Sequence, residues 1–352
     1  MTQYPCSSCG ANVEFAPGTT VLKCPYCGAE TAIAAPERAV REHAFEPFVR
    51  LPRKPIATLA PHTFTCQGCG AITQSDKISD RCGFCSAPLV ADVSSGDQVI
   101  PEAVLPFAVD RPALREALRQ WASSRWFAPN SLKKVTEAES AHSSYLPHWT
   151  YDAGTVSHYT GQRGEHYWVT ETYQENGETR TRQVRKTRWY PASGRVSRFF
   201  DDVLIVGTAR VMPDHLHKLE PWPLLEAQPY RPEFLAGHET LRYEVEPETG
   251  MEHAKARMAP VIERDCRHDI GGDEQRVHSV STSYHDVTFK LMLLPIWIMA
   301  YLHAGRTFNV VVNGRTGSVA GERPYSAVKI AFAVFLALLA VAAAIVAYQM
   351  NR

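Results

Sequence analysis

The sequence lacks an excess of charge of either sign. Lysine and arginine together number 37, aspartate and glutamate together also number 37, and the formal net charge is zero. A neutral chain has no global field that would draw it onto nucleic acid or anionic lipid. The first residues also lack a basic stretch followed by an apolar stretch, so the sequence predicts no secretory signal.

Motifs of the common catalytic classes are absent as well. The sequence contains no G-x-x-x-x-G-K-[ST] loop, no H-E-x-x-H and no G-x-S-x-G. We therefore predict that the protein is not an enzyme, and an unfamiliar site in its β-rich part stays open as an alternative. Surface positions, helix faces and acidic turns explain the remaining candidate side chains equally well: His215, His217, His278, His285, His303, Asp201, Asp202, Asp265 and Asp269.

Cysteine, by contrast, is present in a regular pattern. Eight of the nine cysteines form four Cys-x-x-Cys pairs, and Cys266 stands alone on a predicted helix as an ordinary thiol. A gap of two residues lets both sulfurs of a tight turn reach one metal ion, and two such knuckles complete a tetrahedron. The pairs form two sets, with 14 residues between the pairs of the first and 12 in the second: Cys6, Cys9, Cys24 and Cys27, then Cys66, Cys69, Cys82 and Cys85.

This spacing predicts two structural zinc ions, one in each of two zinc ribbons, in a reducing compartment. Four thiolates leave no open position for water or substrate, so neither site is expected to be catalytic. Metal binding would supply roughly 10–16 kcal/mol of folding free energy to each ribbon. Lys23, Lys77 and Arg81 are too few to follow a phosphate backbone, which favours protein contact over nucleic-acid binding.

A long apolar run lies near the C-terminus. Ile330 to Tyr348 comprises 19 residues without a charged side chain, and a helix of that length would span about 28 Å. The run predicts a single transmembrane helix over 328–348. Arg315, Arg323 and Lys329 precede it and Arg352 follows it, so we expect the N-terminal bulk in the cytosol, at the inner face of the cytoplasmic membrane. The apolar run Leu291 to Leu302 is too short to span a membrane and is expected to be buried.

We expect an α+β protein with two N-terminal zinc ribbons, a β-rich duplicated domain with a few helices, and one C-terminal transmembrane helix. Asp110 and Pro112 mark the start of one helix, and a second is expected over about 252–268. The predicted organisation is ribbon 1 over 1–33, a Pro-rich linker over 34–61, ribbon 2 over 62–90, a linker over 91–104, the β-rich domain over 105–325 and the membrane helix.

An internal repeat marks the β-rich domain. The segment Leu146-Pro147-His148-Trp149 is echoed by Leu294-Pro295-Ile296-Trp297. Each copy is followed by a small hydroxyl residue, glycine and valine pattern, at Ser193-Gly194-Arg195-Val196 and Thr316-Gly317-Ser318-Val319. The copies are predicted over about 145–206 and 293–320, and the first carries an inserted hairpin over about 163–188.

The predicted hairpin turns at Asn176-Gly177, the strongest short hairpin motif. Opposed residues then pair Glu171 with Arg182, Glu165 with Arg188 and Trp168 with Arg185. Cross-strand ion pairs and a cation–π contact would therefore satisfy its basic residues, which argues against a nucleic-acid-binding strand.

Several of these features together resemble a group of bacterial zinc-ribbon membrane proteins. The resemblance rests on the cysteine knuckles, the Leu-Pro-x-Trp segments, the stretch from Val312-Asn313-Gly314-Arg315-Thr316-Gly317 to Gly321-Glu322-Arg323-Pro324, and the C-terminal apolar run. Members are often called TFIIB-type zinc-ribbon or primosomal helicase-like proteins. The resemblance implies a place in a membrane-stress module, with SPFH-domain or PspA-like membrane proteins as partners.

Two function hypotheses follow from the sequence. The first is a tail-anchored, single-pass adaptor that recruits protein partners to the cytosolic face of the membrane, either alone or as a homo-oligomer. The alternative is a nucleic-acid-binding zinc-ribbon protein tethered to the membrane.

Overall fold

The fold was analysed in a computed structural model of the chain. The structure describes residues 4–36, 38–52, 55–56, 59–66, 69–91, 98–124, 141–175, 178–211, 213–303, 306–322 and 327–350. The fold is α+β, as predicted, and β-structure dominates it.

The N-terminal third forms two small β units that carry the cysteines, here named ribbon 1 (Cys6–Ala32) and ribbon 2 (His62–Val90). Ribbon 1 is a three-stranded antiparallel sheet, whereas in ribbon 2 only the first two strands stand apart and the last two join the main sheet. The strands are β1 (Glu14–Phe15), β2 (Val21–Lys23), β3 (Glu30–Ala32), β5 (His62–Thr65), β6 (Ile72–Ser75), β7 (Ser79–Arg81) and β8 (Pro88–Val90), with β4 (His43–Ala44) between the ribbons.

The segment between the ribbons is more than the predicted linker. It contains β4 and helix α1 (Phe45–Val49), and β4 pairs with Thr288 and Phe289 of the main sheet. Phe45 and Phe48 pack edge-on or tilted against the buried ring of Phe289. Aromatic burial therefore fixes the described part of this segment to the body of the protein.

The main sheet is built on very long antiparallel strands. Its remaining strands are β9 (Ala103–Val104), β10 (His142–Glu175), β11 (Glu178–Val206), β12 (Gln228–Pro229), β13 (Glu239–Thr240), β14 (Glu274–His303), β15 (Arg306–Asn313) and β16 (Val319–Gly321). Strands β10 and β14 pair at its centre, β11 flanks β10, and β15 flanks the C-terminal part of β14.

In the described part of the chain, three longer helices and the short α3 (Pro213–His217) accompany the sheet. In α2 (Arg111–Ser123) the Asp110 carboxylate accepts a hydrogen bond from Ala113 N, and Leu114, Leu118 and Trp121 are buried, as their shared helix face predicts. Helix α4 (Pro247–Ile270) covers the predicted second helical region and packs on β10 and β11. Helix α5 (Ala327–Met350) is the apolar C-terminal helix.

The two Leu-Pro-x-Trp segments meet at the centre of the sheet, where Leu146 pairs with Leu294. The Trp149 indole donates to Val245 O and the Trp297 indole to Val109 O, so each ring is tied to the residues just before a helix. Gly207 N and Gly314 N donate in the same way to Pro147 O and Pro295 O. The two halves therefore repeat the same contacts about a local two-fold axis.

The second predicted repeat pattern does not correspond between the halves. Gly194 lies in the middle of β11, whereas Gly317 lies in the turn after β15. The glycines that make equivalent contacts are Gly207 and Gly314. The predicted match between the two small hydroxyl, glycine and valine patterns was therefore wrong. A similarity of four residues does not show where each segment lies in the sheet.

The predicted hairpin register is confirmed. Glu171 pairs with Arg182, Glu165 with Arg188 and Trp168 with Arg185, while the predicted turn residues 176–177 lie outside the described residues. Strand β14 begins beside Gly164, so the hairpin continues beyond it as two strands only. We call this projecting part, residues 165–175 and 178–188, the arm. The predicted 163–188 insertion matches these limits closely.

Candidate metal centres

Each of the four cysteine knuckles is closed by the same pair of backbone hydrogen bonds. In the first, Gly10 N donates to Cys6 O and Cys6 N donates to Ala11 O. The knuckles at Cys24, Cys66 and Cys82 repeat both bonds with their own residues. This geometry turns the chain back within five residues and aims both sulfurs of a pair to one side.

The residue after the second cysteine of each knuckle has a left-handed backbone. Gly10, Gly28 and Gly70 have φ between +73° and +74°, and a glycine tolerates this region without strain. The fourth knuckle carries Ser86 at the same place, with φ of +58°. Ribbon 2 therefore holds one non-glycine residue in a conformation that costs L-residues about 1–2 kcal/mol.

The sulfurs converge in two groups of four. In ribbon 1 the Sγ atoms of Cys6 and Cys27 are 3.5 Å apart, and those of Cys9 and Cys24 are 3.6 Å apart. A regular tetrahedron with sulfur–metal bonds of about 2.3 Å has edges of about 3.8 Å. The corresponding distances in ribbon 2 are 3.4 Å for Cys66 and Cys85 and 3.7 Å for Cys69 and Cys82. Both groups thus have the size of a tetrahedral thiolate site, and all eight predicted ligands take part.

The knuckle backbone also favours the thiolate form that a metal requires. Hydrogen bonding from the backbone of Ser8 and Cys9 lowers the pKa of Cys6 to about 6. The backbone of Cys85 and Phe84 acts in the same way on Cys82 and lowers its pKa to about 7. Amide dipoles that point at sulfur stabilise its negative charge. The backbone of Ala29 and Ala87 acts in the same direction on Cys27 and Cys85, but the neighbouring cysteine sulfurs outweigh it and raise the pKa of each to about 12. Four thiolates side by side therefore require a cation between them, and the two groups suit a thiophilic divalent one.

Ribbon 1 docks on the body mainly through side chains. Phe15 is buried against Phe234, with ring centroids 5.2 Å apart, and Phe15 N donates to Ala236 O. Cys6, Val13, Leu22 and Cys24 lie in the same core cluster as Trp297 and Phe107. One wall of this metal centre is therefore part of the main hydrophobic core.

Ribbon 2 docks through the backbone of its second half. Ser79 pairs with Thr240 of β13, and the Ser79 hydroxyl donates to His238 O. Arg81 links the two ribbons, since its guanidinium donates to the Glu14 carboxylate and to Gly237 O. The first half packs over a separate cluster that includes Phe64, Leu89 and Ala91.

His238 lies where the two ribbons and the sheet meet. Its ring stacks on Phe107 with centroids 4.3 Å apart and lies 6.1 Å from Phe15. Neither ring nitrogen has a hydrogen-bond partner among the described residues. Burial, with the nearby Arg81 and Arg111 cations, lowers the pKa of His238 to about 3, so the ring is neutral at physiological pH.

A third group of potential ligands, which the sequence analysis did not predict, is formed by Glu42, Asp152 and Asp202. The buried Lys290 ammonium bridges Glu42 and Asp202 and supplies the positive charge of this group. The Asp152 carboxylate accepts hydrogen bonds from Asp202 N and from the Thr288 hydroxyl. These residues come from separate segments, so no spacing in the sequence could have revealed them.

Among the described side chains, the other candidates from the sequence are not brought together in a group of potential ligands. Asp265 pairs with Arg198, and Asp269 accepts a hydrogen bond from Tyr159. His217 contacts Glu220. Cys266 is buried in α4, and burial raises the pKa of its thiol.

One described helix is long and apolar enough to cross a membrane. It covers Lys329–Met350, its mean hydropathy is 2.9, and none of it is buried against the rest of the chain. An exposed apolar helix requires an apolar surrounding.

No family model, curated protein or solved structure matches the chain.

Proposed function

We propose that the protein is a membrane-anchored zinc-ribbon adaptor that gathers protein partners at the cytosolic face of a membrane. The observation that carries the proposal is the combination of two closed Cys₄ groups, docked on the main sheet and core, with one exposed apolar helix. A metal ion held by four thiolates has no open position for a substrate, so it stabilises the ribbon fold rather than catalysing a reaction. The proposed metal is zinc, which a closed tetrahedron of four cysteine thiolates holds as a structural ion in a reducing compartment.

The partner surface lies on the outer side of the ribbons. Tyr26 is 83 % exposed and Phe84 is 77 % exposed, and both occupy the third position of a second knuckle. A groove of about 760 Å³ between the ribbons is bordered by Pro5, Tyr26 and Pro88. Exposed aromatic rings beside a groove are frequent anchors of protein interfaces.

The direction of the anchor follows from the flanking charges. Arg315, Arg323 and Lys329 on the N-terminal side outnumber Arg352 on the other, which keeps the ribbons in the cytosol. The family resemblance makes SPFH-domain and PspA-like membrane proteins the first partners to examine.

The test is affinity purification from detergent-extracted membranes with zinc quantified in each sample. We expect the full-length chain to retain a stoichiometric protein partner and a variant with Tyr26→Ala and Phe84→Ala to lose it. Leu225→Ala, at another exposed apolar residue, is the matched control and should retain the partner. A chain ending at Arg323 should keep its zinc but leave the membrane fraction.

Absence of any partner above background with the full-length protein would count against the adaptor. Retention of the truncated chain in membranes would count against the anchor.

A further inference from the structure

The arm and the sheet at its base have two chemically different faces. On one face, β11 contacts α4 through the Arg198–Asp265 ion pair, and Tyr159 of β10 reaches Asp269 of α4. We call this the helix face and the opposite one the arginine face. Successive residues of a strand alternate between faces, and the β10–β11 register is continuous from Gly154 to Glu175, so every residue can be assigned.

The glutamates of the arm all lie on the helix face. Glu171 pairs there with Arg182 and Lys186, and Glu175 pairs with Arg180. Arg188 lies 4.9 Å from the ring centroid of Tyr167, and Arg182 lies 5.5 Å from that of Tyr173. The predicted neutralisation of the arm is therefore a property of this face, although its cation–π contacts involve Tyr167 and Tyr173 rather than Trp168.

The arginine face carries more basic residues than carboxylates. Arg185 and Arg195 of β11 and Arg276 of β14 are exposed there, and none forms an ion pair with another described residue. Across 156–168, 185–197 and 274–283 the carboxylate on this face is Glu274, which contacts His166, accepts a hydrogen bond from Thr187 and interacts electrostatically with Arg185. The neighbouring Asp273 carboxylate lies 3.8 Å from the His166 ring nitrogen. This strip is therefore cationic although the whole chain is neutral.

Aromatic rings and hydroxyl groups accompany these arginines. Trp168 is 65 % exposed beside Arg185, and Phe199 is 64 % exposed at the other end of the strip. Between them the Arg276 guanidinium lies 3.8 Å from the ring centroid of Trp189. Small hydroxyl residues fill most of the remaining positions: Thr160, Ser193, Ser197, Ser279, Ser281 and Ser283.

The strip is long and narrow. Arg185 and Phe199 are 14 residues apart on β11, which corresponds to about 46 Å along the strand. Its width is two strands on the arm and three at the base. Antiparallel strands twist, so the strip follows a curved path that suits one flexible chain better than a flat bilayer.

We propose that the arginine face binds single-stranded nucleic acid without sequence preference. These three arginines are no more numerous than the basic residues of the ribbons, but they share one face with exposed aromatic rings and hydroxyl groups. The arginines pair with phosphates, the serine and threonine hydroxyls donate to phosphate oxygens, and the exposed rings of Trp168 and Phe199 stack on bases. This activity is additional to partner recruitment by the ribbons and uses a different surface.

The test measures the fluorescence anisotropy of a labelled uridine oligonucleotide with the full-length, zinc-loaded protein in neutral detergent. Three phosphate contacts to a single strand predict a slope of about −2 for the logarithm of affinity against the logarithm of salt. The triple variant Arg185→Ala, Arg195→Ala, Arg276→Ala should bind at least about tenfold more weakly. Trp168→Ala should bind about fivefold more weakly, through lost stacking.

The matched control removes three basic side chains from the helix face, with Arg180→Ala, Arg182→Ala and Lys186→Ala. It should bind the oligonucleotide as tightly as the native protein does. Thermal unfolding of both triple variants checks that they fold. No binding at about 50 mM salt, or equal loss in both triple variants, overturns the proposal. Binding of phosphatidylserine vesicles through the arginine face, without oligonucleotide binding, also overturns it and assigns the face to lipid.

Discussion

Ribbons 1 and 2 have the same pattern of cysteines but join the molecule in different ways. Ribbon 1 keeps its own sheet and inserts Val13, Phe15 and Leu22 into the main core. Ribbon 2 pairs β7 with the main sheet, while its β5–β6 hairpin covers a separate small cluster around Phe64. The cysteine spacing therefore determines the metal geometry of a ribbon locally. The docking of the ribbon on the main sheet depends instead on its other apolar side chains and strand edges.

The largest expected difference between the ribbons appears when one ligand is removed from each. Cys9 and Cys69 are both exposed and both end a first knuckle, so Cys9→Ser and Cys69→Ser remove equivalent sulfurs with little loss of packing. Loss of ribbon 1 uncovers three core side chains, worth about 5–9 kcal/mol of unfolding free energy at about 1.5–3 kcal/mol each. Loss of the ribbon 2 hairpin should cost the body much less.

Chemical denaturation followed by tryptophan fluorescence measures this difference, because Trp149 and Trp297 are both buried in the body. Metal analysis serves as the control and should show that each variant loses one of two ions. Equal destabilisation by the two substitutions would show that the ribbons are coupled to the core to the same extent.

Local rules were sufficient for much of this molecule. The spacing of the cysteines predicted both sulfur groups, and the Asn176-Gly177 turn predicted every pair of the arm, because a tight turn fixes the register of both strands. Because side chains alternate between the two faces of a strand, the sequence could also have placed Arg185 and Arg182 on opposite faces. The basic residues of the arm were instead predicted to be neutralised as one set.

Docking could not be predicted in this way. The contacts of Phe15 with Phe234 and of Ser79 with Thr240 join residues more than 150 positions apart, and no local pattern specifies them. The cluster of Glu42, Asp152, Asp202 and Lys290 depends on the same long-range pairing. The segment between the ribbons was predicted as a linker from its prolines, yet Phe45 and Phe48 pack, partly buried, against Phe289 of the main sheet.

The junction between the ribbons should respond to acid through His238. Its pKa is lowered to about 3 in the folded protein, while an unfolded histidine titrates near about 6.5. Between these values the unfolded chain binds the extra proton, so stability falls as pH falls through this window. At pH 5 this linkage costs about 2 kcal/mol.

We expect His238→Phe to remove that share of the acid sensitivity, so that its stability relative to the native protein improves by about 2 kcal/mol between pH 7.5 and pH 5. Phenylalanine also replaces a ring whose two nitrogens lack described partners, and the change should be close to neutral at pH 7.5. Denaturation at both pH values measures the effect, and the exposed His253→Gln is the control. An unchanged acid sensitivity in His238→Phe would refute this role of the junction.

The smallest expected effect distinguishes the fourth knuckle from the other three. Ser86 has the left-handed backbone that Gly28 has at the equivalent position of ribbon 1, and a Cβ at Gly28 would meet nothing within 4 Å. Substitution at either position therefore changes backbone strain and unfolded-chain entropy but no packing. Ser86→Gly relieves about 1–2 kcal/mol of backbone strain and adds about 0.4–1 kcal/mol of entropy cost, so it should raise the folding stability of ribbon 2 by about 0.5–1 kcal/mol.

Gly28→Ala should lower the stability of ribbon 1 by the same amount, and competition with a coloured zinc chelator can compare the two ribbons in one protein. Tighter zinc retention in ribbon 2 of Ser86→Gly and weaker retention in ribbon 1 of Gly28→Ala would establish that knuckle backbone strain sets the difference in affinity. Weaker retention in Ser86→Gly would mean that the serine side chain contributes more to the site than its backbone costs.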